Sequence, residues 1–187
     1  MTKKSCFFSR EPHWIESRTG IKGSIPPAAR SWIYEPGSLT RRLRRSCGNA
    51  FGVRVLNQGW GRPFSGEERV LRLRHGRHAL IREVKLERGG EPLILARTII
   101  PKSTLRGAQR GLSHLGSRPL GEVIFSYPKL RRLSLQLACL EESDWLANMT
   151  SECVFLSDVW GRRTVYSIEG RNLLVCEFFL PEVLSLR

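Results

Sequence analysis

A single carboxylate interrupts an apolar segment near the end of the chain. The run from Leu173 to Leu180 reads LLVCEFFL, and Glu177 is its only charged residue. Strand side chains alternate between the two faces of a sheet, and both faces of this run are apolar. Glu177 is therefore predicted to point into the protein interior, whichever face its position selects.

A cation stands in a comparable place in the segment ALIREVKL at 79–86. Alternation puts Arg82 on an apolar face with positions 80, 84 and 86, whereas Glu83 and Lys85 fall on the other face, which we expect to be wetter. An unpaired charge in an apolar interior costs several kcal/mol, so Arg82 and Glu177 each need a partner. They predict either a buried ion pair that holds the fold or a site for a charged, ring-sized ligand.

Two hairpins are predicted to carry these side chains. One joins strands at 80–87 and 93–100 through a glycine-rich turn, and the other joins strands at 160–168 and 172–180. Two more strands are predicted over about 51–56 and 133–140. Antiparallel strands with helices grouped between the hairpins are typical of an α+β domain, in which helices cover one face or end of a single antiparallel sheet.

The remaining elements are short helices and an N-terminal arm. Helices are predicted over about 28–32, 39–47, 104–115 and 120–125. Ser38 is the expected N-cap of the basic helix at 39–47, because its hydroxyl can accept a backbone N–H of the first turn. Residues 1–25 carry little periodicity, so we expect a poorly ordered arm there and a single domain over 26–187.

The composition is that of a globular protein with an unusual charge. The chain has 187 residues, 41% of them hydrophobic and 26% charged, which is enough for one sizeable core. Its formal net charge of +14 comes mostly from arginine clusters such as 41–45 and 72–77. Such a field attracts nucleic acid, acidic lipid head groups or small polyanions, although each cluster alone is also what a solvated basic surface contains.

Several classes of site are disfavoured by the sequence. The five cysteines are odd in number and include no C-x-x-C, which argues against a disulfide framework or a structural zinc site. Neither a glycine-rich phosphate loop nor a G-x-S-x-G motif occurs. No run approaches the ~20 apolar residues of a membrane-spanning helix, and the charged N-terminus does not resemble a secretion signal. We therefore expect a cytoplasmic protein without a metal or nucleotide cofactor.

Four ordered motifs resemble those of the chorismate pyruvate-lyase family. They are EPLILARTIIPKSTL at 91–105, RPLG at 118–121 followed by Ile124-Phe125, WGRR at 160–163 and LVCEFFLP at 174–181. Ser38-Leu39-Thr40 also stands where the family has a matching motif. Each motif alone is modest, but the ordered set is specific, and its spacing fits the family from about residue 26 to the C-terminus.

The resemblance implies removal of pyruvate from chorismate to leave 4-hydroxybenzoate, the aromatic precursor of ubiquinone. It also implies that Arg82, Leu120, Glu177 and Leu39 bind the substrate, with Arg82 and Glu177 as the catalytic residues and no cofactor. The charged pair that alternation singles out is thus the pair that the resemblance points to.

A binding mode follows as a hypothesis. Arg82 would grip the ring carboxylate through two hydrogen bonds, and the backbone N–H of Leu120 would assist at a helix start. Glu177 would bind the ring hydroxyl at the opposite end, and Leu39 would form part of an apolar wall.

The chemistry leaves two routes open. Glu177 could act as a base or polarise the hydroxyl, or the ring hydrogen could pass directly to the enolpyruvyl methylene in a cyclic transition state. The enolpyruvyl carboxylate needs a further cation or donor. Arg97, Arg162 and Arg163 are candidates, and each is equally a candidate for a structural ion pair.

Two other functions compete with this one. The same fold type serves as an effector-binding domain in bacterial transcription regulators, but the segment before the matched motifs is too short for a DNA-reading domain. A nucleic-acid-binding protein would suit the charge, but the interleaved aromatics of a recognised RNA motif are missing. We therefore expect a monomer with no nucleic-acid partner and at most a weak association with an anionic membrane surface.

Overall fold

One antiparallel sheet of seven strands organises the chain. The computed structural model describes residues 4–17, 23–150, 153 and 158–186. The strands are β1 (Ile15–Glu16), β2 (Phe51–Gly61), β3 (Ala79–Arg88), β4 (Glu91–Pro101), β5 (Leu130–Leu140), β6 (Val159–Ile168) and β7 (Arg171–Phe179). Their order across the sheet is β1-β5-β6-β7-β4-β3-β2, and all neighbours run antiparallel. The predicted α+β fold with a single antiparallel sheet and both predicted hairpins are confirmed.

Short helices connect and cover the strands. They are α1 (Pro27–Ile33), α2 (Leu39–Cys47), α3 (Ser65–Val70), α4 (Leu120–Ile124), α5 (Ala147–Thr150) and α6 (Pro181–Leu184). Helix α2 has the predicted bounds, and the Ser38 hydroxyl accepts the backbone N–H of Arg41 at 3.3 Å. The helix expected at 104–115 is wrong, because the chain forms turns and a 3₁₀ segment at Gly107–Ser113. Gly107 and Gly111 lower the helix propensity of that stretch.

The strand register places the two predicted charges on one face. Arg82 lies opposite Thr98, which lies opposite Val175, and Ala96 lies opposite Glu177 in the next row. Arg82 and Glu177 are therefore two strands apart and two residues apart along the strands. Standard strand spacings put their Cα atoms about 12 Å from each other, so their side chains can contact opposite ends of one ring.

Two groups of helices cover this face, which we call the cavity face. Helices α1 and α2 pack in one apolar cluster with Val84, Leu86 and Ala96 of the sheet. Helix α4 packs in another cluster with Leu80 and Val175. Consequently α2 lies over the row that contains Glu177, and α4 lies over the side of the sheet that contains Arg82.

The opposite face of the sheet is covered as well. Phe7 and Phe8 of the N-terminal segment pack there against Trp145 and Phe178. The close packing explains the glycine of the WGRR motif, because a Cβ on Gly161 would lie 2.6 Å from the ring of Phe178. The sheet is thus buried on both sides.

Burial on this second side corrects one expectation. Glu83 is 0% exposed and Lys85 is 4% exposed, so the face that we expected to be wetter is an interior face. Glu83 accepts hydrogen bonds from the Ser5 hydroxyl and from the backbone N–H of Cys6. Alternation assigned the face correctly, but the covering layer comes from a segment nearly 80 residues earlier in the chain.

The expected arm at 1–25 lies partly outside the described residues, which begin at 4 and omit 18–22. Within residues 4–17, Ser5, Phe7 and Phe8 are buried, and β1 pairs with β5. The described part of this segment therefore packs on the sheet, whereas the boundary between an arm and a domain at 25/26 stays a prediction.

Candidate functional site

All four residues that the sequence nominated line one cavity. Arg82 and Glu177 rise from its floor, which is the sheet, while Leu39 and Leu120 descend from α2 and α4 in its roof. The space open to the centre of a water-sized sphere is about 40 Å³. Ligand pockets usually measure about 300–1,000 Å³, so we expect the roof to shift when a ring-sized ligand binds.

The Arg82 end of the cavity carries an uncompensated positive charge. Arg82 is 2% exposed, and its guanidinium donates to the side-chain oxygen of Gln58 at 2.5 Å and to the Arg118 carbonyl at 3.3 Å. Both acceptors are neutral, and no carboxylate among the described residues pairs with Arg82. Burial lowers the pKa of Arg82 below its ordinary value. An anion placed beside the guanidinium would remove this penalty.

The Glu177 end contains a complete ion pair. Arg162 lies directly across the ladder from Glu177, and its Nε donates to Glu177 Oε2 at 2.6 Å. Burial opposes the charge on Arg162, but Glu177 and other neighbours outweigh it and raise the pKa of Arg162. Glu177 therefore pairs with Arg162 and not with Arg82, so the space between Arg82 and Glu177 is left to a ligand.

Helix α1 fixes the position of Arg162. Arg162 Nη1 donates to the carbonyls of Trp32, Ile33 and Glu35 at 3.4, 2.9 and 3.1 Å. The last carbonyls of a helix accept no hydrogen bond from within the helix, and a cation at that end interacts favourably with the helix dipole. Arg162 thereby ties the end of α1 to the Glu177 carboxylate.

The two roof helices begin against each other. A Cβ on Gly121 would lie 2.8 Å from Thr40 Oγ1 and 3.2 Å from Ser38 Oγ, so only glycine permits this approach. Arg44 of α2 also forms an ion pair with Glu122 of α4. The starts of both helices therefore meet over the cavity, where the positive ends of their dipoles favour an anion.

Two of the three arginines considered for a second carboxylate lie elsewhere. Arg97 pairs with Glu67 and Glu83 on the opposite face of the sheet, at 2.7 and 2.8 Å. Arg163 pairs with Glu11 at 2.8 Å on the same opposite face. Their roles are structural, and Arg162 alone of the three lies on the cavity face.

Four polar residues near the cavity escaped the sequence interpretation as site residues. Thr40, Thr98 and Tyr166 line it, and Gln58 holds Arg82. Tyr166 lies four residues from Arg162, so strand alternation would have placed both on one face. Gln58 was missed because the predicted strand ended at residue 56, whereas β2 continues to Gly61.

A larger groove lies outside the cavity, around Trp60, which is 54% exposed. Its volume is about 680 Å³, and Arg77, Lys102 and Arg106 line it without any carboxylate among the lining residues. The groove is open to solvent and brings no catalytic pair together. We therefore take the enclosed cavity, not the groove, as the candidate active site.

Two further searches of the described ranges bear on the site. No group of three or more His, Cys, Asp and Glu side chains is arranged there to hold a metal ion. None of the helices is long and apolar enough to cross a membrane.

Known sequences resemble this chain over most of its length. The family model described as "Chorismate lyase" matches residues 12–186. A protein of Methylococcus capsulatus named "Probable chorismate pyruvate-lyase" is 50% identical over 155 residues, which cover 83% of this chain and 96% of that protein. One with the same name from Aromatoleum aromaticum is 40% identical over 166 residues, covering 87% and 89%.

Comparison with solved structures agrees on the fold. The effector domain of PhnF from Mycobacterium smegmatis has a TM-score of 0.56 and 15% identity, with 78% of this chain and 90% of that domain covered. The C-terminal domain of the histidine utilization repressor from Pseudomonas syringae has a TM-score of 0.54 and 9% identity, covering 71% and 92%. At these identities the likeness concerns the fold alone.

Proposed function

The chain belongs to the chorismate lyase family, and on that premise we propose that it cleaves pyruvate from chorismate and leaves 4-hydroxybenzoate. The observation that carries the proposal is Arg82, a buried cation to which no described carboxylate is paired, at one end of a cavity whose other end presents Glu177. An anionic ring with a hydroxyl at its far end satisfies both groups.

Arg82 would bind the ring carboxylate. A guanidinium can form two parallel hydrogen bonds to a carboxylate, and Gln58 holds this one in place. Leu120 lies at the start of α4 in the roof, so its backbone N–H can add a donor to the same carboxylate. Leu39 of α2 supplies an apolar wall to the ring.

Glu177 would bind the ring hydroxyl, with Arg162 fixing the carboxylate. The reaction removes the hydrogen from the hydroxyl-bearing ring carbon and breaks the neighbouring ether C–O bond. The electrons of the broken C–H bond complete the aromatic ring, and those of the broken C–O bond leave with enolpyruvate. Enolpyruvate takes up a proton at its methylene carbon to become pyruvate. The ring hydrogen reaches that carbon either through a base such as Glu177 or directly in a cyclic transition state.

The decisive experiment incubates the purified chain with chorismate, without added metal or nucleotide, and measures 4-hydroxybenzoate and pyruvate. We expect both products in equal amounts. Arg82→Ala should lower kcat/KM at least about 100-fold, because two charge-assisted hydrogen bonds are lost. The variant should stay folded, since the substitution removes a buried cation that has no counter-charge.

Arg54→Ala is the matched control, because Arg54 is exposed on the edge strand β2. It should retain wild-type turnover. Near wild-type turnover by Arg82→Ala would refute the assigned role of Arg82, and a wild-type chain that releases no pyruvate would refute the proposed reaction.

A binding role without catalysis is the second candidate, because the fold is shared with effector domains of transcription regulators. Such a module would bind 4-hydroxybenzoate or a related acid and leave chorismate intact. The same assay, combined with a titration of 4-hydroxybenzoate, separates the two functions.

The wider setting is proposed on the same premise. A 4-hydroxybenzoate product would make this the first committed step of ubiquinone formation, in the cytoplasm. The monomeric state and a weak contact with anionic membranes stay predictions. The groove around Trp60 is the surface that such a contact would use, so flotation of wild type and Trp60→Ala with anionic vesicles tests it.

A further inference from the structure

We infer that Thr40 and the first turn of α2 bind the enolpyruvyl carboxylate, and so distinguish the dianionic substrate from the monoanionic product. The inference rests on the proposed reaction and assigns one more residue to its site. It starts from a deficit of cations, because chorismate carries two carboxylates and the cavity offers one free guanidinium.

The deficit is clear from the lining of the cavity. Arg82 is the one cation among the described lining residues. Arg97 and Arg163 lie across the sheet, and the Nε and Nη1 of Arg162 already bind Glu177 and the end of α1. The other donors that line the cavity are neutral, and they are the ones available to the second carboxylate.

Three hydroxyl groups are available on the cavity wall. Thr40 and Thr98 are each 4% exposed, and neither hydroxyl forms a hydrogen bond to another described residue. The Tyr166 hydroxyl accepts from Arg132 at 3.3 Å. A hydroxyl that faces the cavity can donate a hydrogen bond to a ligand carboxylate.

The three hydroxyls differ in their position within the cavity. Thr98 lies directly opposite Arg82 in the ladder, at the end assigned to the ring carboxylate. The Tyr166 ring packs with α4, but its hydroxyl is bound by Arg132, which also reaches the Glu35 carbonyl beside Arg162. Thr40 belongs to α2, which packs over Val84 and Ala96 in the row of Glu177. Of the three, only Thr40 belongs to the roof, where its Oγ1 lies beside Gly121 of α4, between the two ends of the cavity.

The enolpyruvyl arm of the substrate leaves the ring close to that position. The ether oxygen of the enolpyruvyl group is bonded to the ring carbon next to the one that bears the hydroxyl. With the hydroxyl on Glu177, the enolpyruvyl arm leaves the ring beside Glu177 and under the start of α2. Arg162 compensates the charge of Glu177, so a second anion can be placed nearby.

Helix α2 adds donors beside the Thr40 hydroxyl. The Ser38 side chain accepts the N–H of Arg41, and the Ser38 carbonyl accepts the N–H of Arg42. The N–H groups of Leu39 and Thr40 are the two in the first turn that the helix does not satisfy itself. A carboxylate at this point would meet a hydroxyl, two N–H groups and the positive end of a nine-residue helix.

The test compares substrate and product in the same variants. Thr40→Val removes the hydroxyl with little change of shape, and Thr40→Ser restores it. We expect Thr40→Val to raise the KM for chorismate about 10- to 100-fold, the effect of one lost hydrogen bond to a charged group. Its inhibition constant for 4-hydroxybenzoate, which lacks the enolpyruvyl arm, should stay within about twofold of wild type, and Thr40→Ser should recover most of the KM.

Thr164→Val is the matched control, because the Thr164 hydroxyl is buried without a partner and does not line the cavity. It should change neither constant. An unchanged KM in Thr40→Val would overturn the inference. Equal weakening of substrate and product, or no recovery in Thr40→Ser, would also overturn it, because either result indicates a packing role. A wild type that binds 4-hydroxybenzoate but does not turn over chorismate would instead refute the proposed reaction.

Discussion

Arg82 is buried and Glu177 is partly buried on the same face of the sheet, and the two differ in their charged partners. Arg82 has only neutral acceptors, whereas Glu177 has the full positive charge of Arg162. The Arg82 end of the cavity therefore has a net positive charge that favours an anion, whereas the charges of Glu177 and Arg162 cancel at the other end. Removing the Glu177 charge should therefore destabilise the protein more than removing Arg82, because Glu177 is half of a pair and Arg82 is an unpaired charge.

Glu177→Gln tests this asymmetry. The substitution leaves the Arg162 charge buried beside a neutral amide. We therefore expect the free energy of unfolding to fall by about 3 kcal/mol, the lower end of the range for breaking a buried ion pair. Arg82→Ala should cost little by comparison. Urea unfolding of both variants measures the difference, and equal stabilities would contradict it. Full lyase activity in Glu177→Gln would further exclude Glu177 as the base.

Alternation predicted the inward direction of both residues because it needs only the local chain. It did not predict their partners. Arg162 pairs with Glu177 because the β6–β7 register sets them opposite each other, and Gln58 reaches Arg82 because β2 is longer than its apolar pattern. Glu83 was placed on a wet face because its partners, Ser5 and Arg97, come from other segments.

At the level of secondary structure, the roof of the cavity depends on how closely the first residues of α2 and α4 approach each other. The N-cap serine and the proline before α4 are local signals, and both helices were predicted from them. Their meeting over the cavity is a tertiary contact that no local pattern contains. At Gly107–Ser113 the local pattern predicted a helix that does not form. The apolar spacing there resembles that of a helix, but the glycines disfavour one, and the segment is a 3₁₀ helix.

Gly121→Ala probes this meeting point. The added Cβ would lie 2.8 Å from Thr40 Oγ1, so the two helix starts must separate. We expect a loss of about 1–3 kcal/mol in stability, together with a fall in kcat/KM, because Leu39, Thr40 and Leu120 move with their helices. Gly111→Ala is the control, since a Cβ there meets nothing within 4 Å. Wild-type activity and stability in Gly121→Ala would refute the close approach.

The whole molecule is a sheet between two layers of different character. On the cavity face, helices enclose a space of about 40 Å³, so entry of substrate and exit of product both require movement of the roof. On the other face, the N-terminal segment and α3 are fixed by buried ion pairs and hydrogen bonds. We therefore expect this side to hold the floor of the site in place when the roof moves. The net charge of +14 would raise the local concentration of a dianionic substrate.

Glu83 makes the rigid side sensitive to acid. Burial alone would raise the pKa of Glu83, but Arg97, the Ser5 hydroxyl and the Cys6 N–H together hold it below the ordinary value of 4.5. In the unfolded chain the carboxyl returns to that ordinary value, so near pH 4 the unfolded state binds more protons than the folded state. The stabilisation by ionised Glu83 is therefore complete above about pH 4.5 and is lost as the pH falls through the lower folded pKa.

Glu83→Gln should reveal this dependence. The substitution removes the ionisable group and breaks the contact with Arg97, so its free energy of unfolding should lie furthest below that of wild type at pH 6 to 7. The gap should narrow as the pH falls below 4.5, because wild type then loses the same interaction. Urea unfolding followed by tryptophan fluorescence at several pH values measures it. Glu142→Gln, at an exposed position, should show a small gap at every pH. A gap for Glu83→Gln that stays constant down to about pH 3 would mean that the buried network does not hold Glu83 in its charged form.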